Sequence, residues 1–449
     1  MLTISESVQK NKDYTFVSWM AQGAWNPIII ERGEGVYVYD TEGRRYLDWA
    51  SQLVNVNIGH SHPKVVSAIQ KQAAKLCYVN PSFGTPERGR LGELLAEITT
   101  GELSKAFFTN GGADAVENAL KIARTYTGRQ KILTRYNSYH GGTFAAATAG
   151  GDPRRLANEP GVPWIVRTPD PYSYRNPVYR RRTQEEGDEI IAEMVEDIVI
   201  REGPENCAAI LVEGYSGSSG IMQPSAIYFN RLREICDRYG MLLIVDEVMS
   251  GFGRTGKWFG IDHYPGVEVD IMVVAKGITA GYVPLGAAIV SRQVAEYFDK
   301  NTLWAGLTYS AHSLAMAAAI ATIEVYQEEN LIERAREMGE KLSRGLAELA
   351  ERHNVIGEIR GTGLLQVIEL VKNRETREPL SEFNKPLSEP MQKVSKALRD
   401  AGLNVFTRWN MIFSTPPLTI NDEQLRDGLD GLDQALTLID NYYEGSISA

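Results

Sequence analysis

The apolar run Met241-Leu-Leu-Ile-Val245 ends in an acid, Asp246, and 30 residues further on (276 − 246 = 30) a second run, Ile271-Met-Val-Val-Ala275, ends in Lys276. One carboxylate and one amine at the ends of two strands suit pyridoxal 5′-phosphate (PLP). The amine can form a Schiff base with the cofactor's aldehyde. The acid can keep the pyridine nitrogen protonated, so that the ring acts as an electron sink. A third segment, Thr109-Asn-Gly-Gly-Ala113, lies between an extended stretch and a predicted helix. Gly111, Gly112 and Ala113 would let the backbone approach a phosphate, and the helix N-terminus offers free N–H groups and partial positive charge. Glu213 closes the run Ala208-Ala-Ile-Leu-Val212. A carboxylate at the C-terminal end of such a strand points toward the ligand crevice of an open α/β sheet.

These ends need a sheet to hold them. From about residue 80 the sequence alternates helical and extended patterns. Arg90 to Ile98 reads as a helix, Ala106 to Thr109 as a strand and Ala113 to Tyr126 as a helix. Lys131 to Thr134 (strand), Glu186 to Arg201 (helix), Ala208 to Glu213 (strand) and Tyr228 to Tyr239 (helix) follow. The strands are short and continuously apolar, as in a mostly parallel sheet covered on both faces. Earlier, Val36 to Tyr39 and Arg45 to Asp48 read as a hairpin turning at Glu42-Gly43, and Lys64 to Lys75 as an amphipathic helix. Residues 1–35 carry no regular pattern. Past residue 325 the texture changes. A charged helix, Asn330 to His353, precedes strands at Gln366 to Leu370 and Met411 to Phe413 and helices at Pro390 to Ala401 and Glu423 to Tyr442.

A chain of 449 residues is too long for one compact core. The expected division is an N-terminal segment, 1–75, serving a small domain and the site wall, a large cofactor-binding domain, 76–325, and a small α+β domain, 326–449. The net charge of −10 argues against nucleic acid as a partner. The short basic run Arg180-Arg-Arg182 is followed at once by Glu185-Glu186 and reads as a solvated loop. The three cysteines, Cys77, Cys207 and Cys236, have neither paired nor metal-ligand spacing, and no metal is expected. With no signal peptide and no apolar run long enough to span a bilayer, the expectation is a soluble cytoplasmic protein that does not enter membranes.

With these motifs in register, the chain resembles the class III PLP-dependent aminotransferases of fold type I, from about Trp19 to the C-terminal helix. Ala275-Lys-Gly277 and Gly281-Tyr-Val-Pro-Leu-Gly286 match the pattern around that family's lysine. Ala21-Gln-Gly23 and Ser51-Gln-Leu-Val-Asn-Val-Asn-Ile-Gly-His60 are similar to the taurine-type ω-transaminases. Two departures stand out. Asn110-Gly-Gly-Ala-Asp114 replaces a phosphate cup usually written Ser-Gly-Ser-Glu-Ala, and Glu213-Gly replaces Glu-Pro.

The resemblance implies roles. Tyr139, in Ser138-Tyr-His-Gly141, would stack on the cofactor ring, with His140 as a neighbouring support and Val248 on the opposite face. Glu213 would lie near the phenolic oxygen, with Ser218 and Ser219 just beyond. Lys276, once freed, would be the base for the proton shift. Thr308, in Gly306-Leu-Thr-Tyr-Ser310, would reach the phosphate in a neighbouring subunit. That makes a homodimer with shared sites the expected partner arrangement, with a tetramer left open. Arg408 would be the mobile arginine that binds an α-carboxylate. Trp19, Leu53 and Val54 would line the pocket. The implied activity is ping-pong transfer from an amine or ω-amino acid to pyruvate or 2-oxoglutarate. An aminomutase or a decarboxylating relative on the same scaffold is the alternative.

Overall fold

In the computed structural model, which describes residues 3–445, alternation along each central strand accounts for the architecture. Leu242 and Ile244 face one cluster of buried residues, while Leu243 and Val245 face another. Helix Gly112–Thr127 covers the first face through Ala115, Val116, Ala119 and Leu120. Helix Ala226–Tyr239 adds Phe229, Leu232 and Ile235 to the second. Burial on both faces is why these strands read as unbroken apolar runs.

The central sheet has seven strands in the order Leu103–Thr109, Gly286–Ser291, Ile271–Val274, Leu242–Asp246, Cys207–Glu213, Lys131–Arg135, Ile165–Thr168. The last five run parallel, and Gly286–Ser291 is antiparallel to both neighbours. The C-terminal ends of the parallel strands therefore share one edge, and Glu213 and Asp246 sit side by side there as register partners. With five neighbouring strands parallel, this is the mostly parallel α/β sheet that the sequence pattern predicts.

Two smaller sheets flank it. Ile30–Glu34, Tyr37–Asp40 and Arg45–Asp48 form a meander whose fourth strand, Leu403–Asn404, comes from the far end of the chain and runs parallel to Arg45–Asp48. The other is built on Ile356–Thr362, Leu365–Asn373, Met411–Ser414 and Phe406–Arg408. It packs beside the long amphipathic helix Leu331–Arg352.

Three sequence expectations change. The stretch before residue 35 is not irregular throughout. Ile4–Tyr14 is a helix started by a Thr3–Glu6 capping box, and Ile30–Glu34 is a strand. That helix buries none of its residues, so hydrophobic periodicity had nothing to register, whereas its cap was visible as Thr-x-x-Glu. The last helix stops at Thr437, and only a short 3₁₀ turn, Asp440–Tyr442, follows. Ser313–Glu328, to which the sequence pattern assigned nothing, is an alanine-rich, largely buried helix whose charged residues are only Glu324 and Glu328, too few to make a polar stripe. The outermost ends of the expected N- and C-terminal domains lie outside the described residues.

Candidate active site

A cavity of about 720 Å³ opens at the C-terminal edge of the parallel strands, within the range of small-molecule sites. Its floor is the pair of strand ends read from the sequence. Asp246 is buried; its Oδ1 accepts from the Val248 N–H at 2.9 Å, and its Oδ2 lies 2.8 Å from Nδ1 of His140. The neighbouring Glu247 points away. It accepts from the N–H groups of Gly260 and Ile261 at 2.8 and 2.7 Å and from Ser250 Oγ at 2.6 Å, and so ties down the following loop. Burial raises the Glu247 carboxyl to about 7, and these bonds oppose the rise. Of two adjacent acids, one faces the cavity and the other serves the backbone.

Lys276 lines the same cavity and makes no hydrogen bond through Nζ among the described residues. Burial pulls its ammonium down to about 8, against the charges of Asp246 and Glu213, which raise it. Its φ is +46°, a left-handed conformation that costs energy for a residue with a side chain and clusters at functional sites. The turn that holds it depends on Gly281, with φ +81°, where a Cβ would lie 2.6 Å from Nδ2 of Asn55.

The phosphate-type cradle is also present. Helix Gly112–Thr127 begins with Gly111 as its N-cap and no capping side chain, so its first N–H groups keep no intrahelical partner. A Cβ added at Gly111 would meet nothing within 4 Å and would project into open space. Ala113 completes this wall, and Val248 packs against Gly112. An uncapped helix start, a buried carboxylate beside an imidazole and an amine of lowered basicity together fit a phosphorylated pyridine aldehyde.

Glu213 is buried at the adjoining strand end. Its Oε1 accepts from the N–H groups of Gly217 at 3.2 Å and Tyr139 at 3.4 Å, and its Oε2 from Nη2 of Arg135 at 3.3 Å. Burial raises its carboxyl, and His140 and Arg135 restrain the rise. Nε2 of His140 is buried with no partner among the described residues.

The outer wall contains residues that sequence reasoning missed. Arg154 stacks its guanidinium 3.6 Å from the centre of the Tyr139 ring and lies 5.2 Å from the ring of Trp19. It also grips Asp152, with Nε 2.8 Å from Oδ1 and Nη2 3.1 Å from Oδ2. Arg408 pairs with the same Oδ2. Ser218 Oγ accepts from both arginines, at 2.9 Å from Arg154 and 3.0 Å from Arg408. No spacing in Gly151-Asp-Pro-Arg-Arg155 announced this, because Arg408 is more than 250 residues away (408 − 154 = 254). Leu53, Val54 and Trp19 line the mouth; Leu53 and Trp19 remain exposed, while Val54 is buried. Ser219, expected beside Ser218, does not line the cavity: it is buried, and its hydroxyl has no partner among the described residues. Thr308 lies outside the cavity, exposed, and its carbonyl accepts from the Tyr78 hydroxyl at 2.8 Å. Cys77 is exposed, and Cys207 and Cys236 are buried thiols.

A mixed α/β sheet with an acid, an amine and an uncapped helix start at one edge defines a fold-type I PLP enzyme. A family model for class III aminotransferases matches residues 19–436. The chain is 32% identical to a taurine–pyruvate aminotransferase of Bilophila wadsworthia, over 98% of each sequence. It is 37% identical to a leucine/methionine racemase of Thermococcus litoralis, over 91% of this chain and 90% of that one. The crystal structure of a taurine:2-oxoglutarate aminotransferase from Bifidobacterium kashiwanohense, in complex with PLP and glutamate, superposes with a TM-score of 0.94 at 38% identity, covering 99% of both chains. The protein belongs to the class III aminotransferases, the PLP-dependent transaminases of fold type I.

Proposed function

We propose that this aminotransferase takes its amino group from an ω-amino acid with an anionic far end, a carboxylate or a sulfonate, and passes it to pyruvate or 2-oxoglutarate. The observation that carries this reading is the convergence of Arg154 and Arg408 on Asp152 in the wall of the cavity that Lys276 also lines. Two guanidiniums in a partly enclosed pocket recognise anions through charge-assisted, fork-shaped hydrogen bonds. Similarity to taurine-transferring proteins supports the same class of donor.

When bound, PLP supplies an electron sink for the bonds at the amine-bearing carbon. The chain's own residues supply the rest. Gly111, Gly112, Ala113 and the helix start behind them would hold the phosphate. Asp246, fixed by the Val248 N–H and His140, would keep the ring nitrogen protonated. Tyr139 and Val248 would bracket the ring, and Glu213 would border the substrate side. Lys276, its ammonium made less basic by burial, is suited to carry a proton to and from carbon. Arg408 would take the α-carboxylate of the oxo acid and Arg154 the far anion of the donor, with Trp19, Leu53, Val54 and Ser218 shaping the wall between them.

Thr308 would complete the phosphate site of a second copy. An exposed apolar surface around it supports a homodimer: Trp304 is 81% and Tyr309 57% exposed. The three free thiols, Cys77, Cys207 and Cys236, support a reducing, cytoplasmic location. Among the described residues, no helix is long and apolar enough to cross a membrane.

The test is a donor panel of taurine, β-alanine, 4-aminobutyrate and 1-phenylethylamine, each assayed with pyruvate and with 2-oxoglutarate. Turnover that requires both a donor and an oxo acid, and that prefers the anionic amines, is expected. A racemase or aminomutase would convert an amino acid with no oxo acid present, and that outcome would overturn the reading.

A further inference from the structure

One carboxylate in the substrate wall already does what a substrate anion would do. Asp152 is buried, its side chain 1% exposed, while Arg408 and Arg154 keep 15% and 24% of theirs accessible. It cannot swing away. Its N–H donates to the carbonyl of Ser138 at 3.0 Å, and its Oδ1 caps the following 3₁₀ turn through the Arg154 N–H at 2.9 Å. Arg154 holds it with a two-pronged fork, and Arg408 meets Oδ2 from the other side. Burial alone would raise the Asp152 carboxyl, but the Arg154 hydrogen bonds and the two positive charges outweigh it and hold the group below its ordinary value. It is therefore a permanent anion. Two guanidiniums and one carboxylate leave a net charge of +1 on this wall.

We infer that Asp152 competes with the substrate's anionic group for Arg408 and is thereby a specificity-determining residue. A carboxylate or sulfonate can engage Arg408 fully only by taking it from Asp152, so part of each new ion pair is offset by the loss of an old one. The exchange falls on the arginine, because the aspartate is fixed by its backbone bonds while Arg408 is held by side-chain atoms alone, namely Asp152, Ser218 and the Trp409 ring 4.2 Å away. The residual charge suits one added negative charge. A molecule carrying two would leave an excess of anion around Asp152. The inference rests on the reading of Arg154 and Arg408 as the anion site.

The experiment is Asp152→Asn, which keeps the oxygen that caps the turn and removes the charge. KM for pyruvate and for taurine should fall, by roughly three- to tenfold, because the arginine no longer gives up an ion pair when the substrate binds. KM for the dianionic 2-oxoglutarate should fall more. KM for 1-phenylethylamine, which carries no anion, should stay within twofold, as should kcat. Asp152→Ser, which also caps turns, repeats the measurement should the asparagine variant fold poorly. A raised or unchanged KM for the anionic substrates in a folded variant would overturn the inference, since a residue that merely aims the arginines weakens binding when neutralised. Arg408→Ala separates the two readings. If it raises KM while Asp152→Asn does not lower it, only the role of Asp152 fails. If Arg408→Ala leaves KM unchanged, the anion site itself fails.

Discussion

The floor of the cavity and its outer wall are built on opposite plans. Asp246, Glu213 and Lys276 stand at or just beyond the ends of neighbouring parallel strands, so the ladder that fixes the strands fixes the side chains. Arg154, Ser218 and Arg408 come from separate segments joined mainly by side-chain bonds to Asp152 and to one another. A ladder of backbone bonds positions atoms whatever the side chains do, whereas a wall held by ion pairs rearranges when any charge is exchanged. Such a division suits an enzyme that must hold one cofactor still while admitting two different substrates in turn.

The comparison can be broken most sharply at the floor. Lys276→Ala should abolish turnover, by at least roughly a thousandfold, because both the attachment point and the proton carrier go. Borohydride reduction and peptide mapping of the native protein should mark Lys276, and a label on another lysine would remove it from the scheme. Asp246→Asn should lower kcat by roughly a hundred- to a thousandfold with KM little changed, since the loss falls on the transition state. Near-normal kcat would mean that Asp246 serves only to hold His140.

The wall should respond in KM instead. Arg408→Ala removes charge-assisted hydrogen bonds worth about 1.5–3 kcal/mol, so KM for pyruvate should rise roughly ten- to a hundredfold. Single-turnover absorbance with 1-phenylethylamine should be nearly unaffected. Equal losses in both half-reactions would assign Arg408 to the fold or the cofactor.

The smallest effect is in pH. Lys276 is lowered by burial from 10.5 to about 8, so its neutral form becomes dominant above pH 8 in the folded apoprotein. The rate of cofactor capture by apoprotein should therefore climb through about pH 8 and level off, well short of 10.5. The same shift has a stability consequence. Between about 8 and 10.5 the unfolded chain keeps a proton that the folded chain has released, so the unfolded state binds more protons there. On that account alone, apoprotein stability should rise with pH across this window, and the rise should vanish in Lys276→Met. A capture rate that climbs only above pH 10 would show that burial does not depress this amine.

Why the floor was legible in the sequence, and Asp152 and Arg154 of the wall were not, follows from these plans. A strand that ends in an acid and another that ends in a lysine are local patterns, and the sheet turns such patterns into positions. The Thr3–Glu6 capping box is equally local and marks the start of Ile4–Tyr14, a helix with no buried face to add a periodic signal. Ser313–Glu328 had little pattern to see, because a mostly buried, alanine-rich helix with charge only at Glu324 and Glu328 has almost no polar face.

The sequence by itself determined the acid, the amine, the glycine-rich helix start and the apolar strands that carry them, since burial on both faces dictates composition and strand ends dictate direction. Only the tertiary structure gave Glu247, next to Asp246, its task of holding the N–H groups of Gly260 and Ile261. It alone also brought Asp152, Arg154, Ser218 and Arg408 into one cluster. Those choices depend on where separate loops come to rest, and a loop's resting place is set by the side chains it meets.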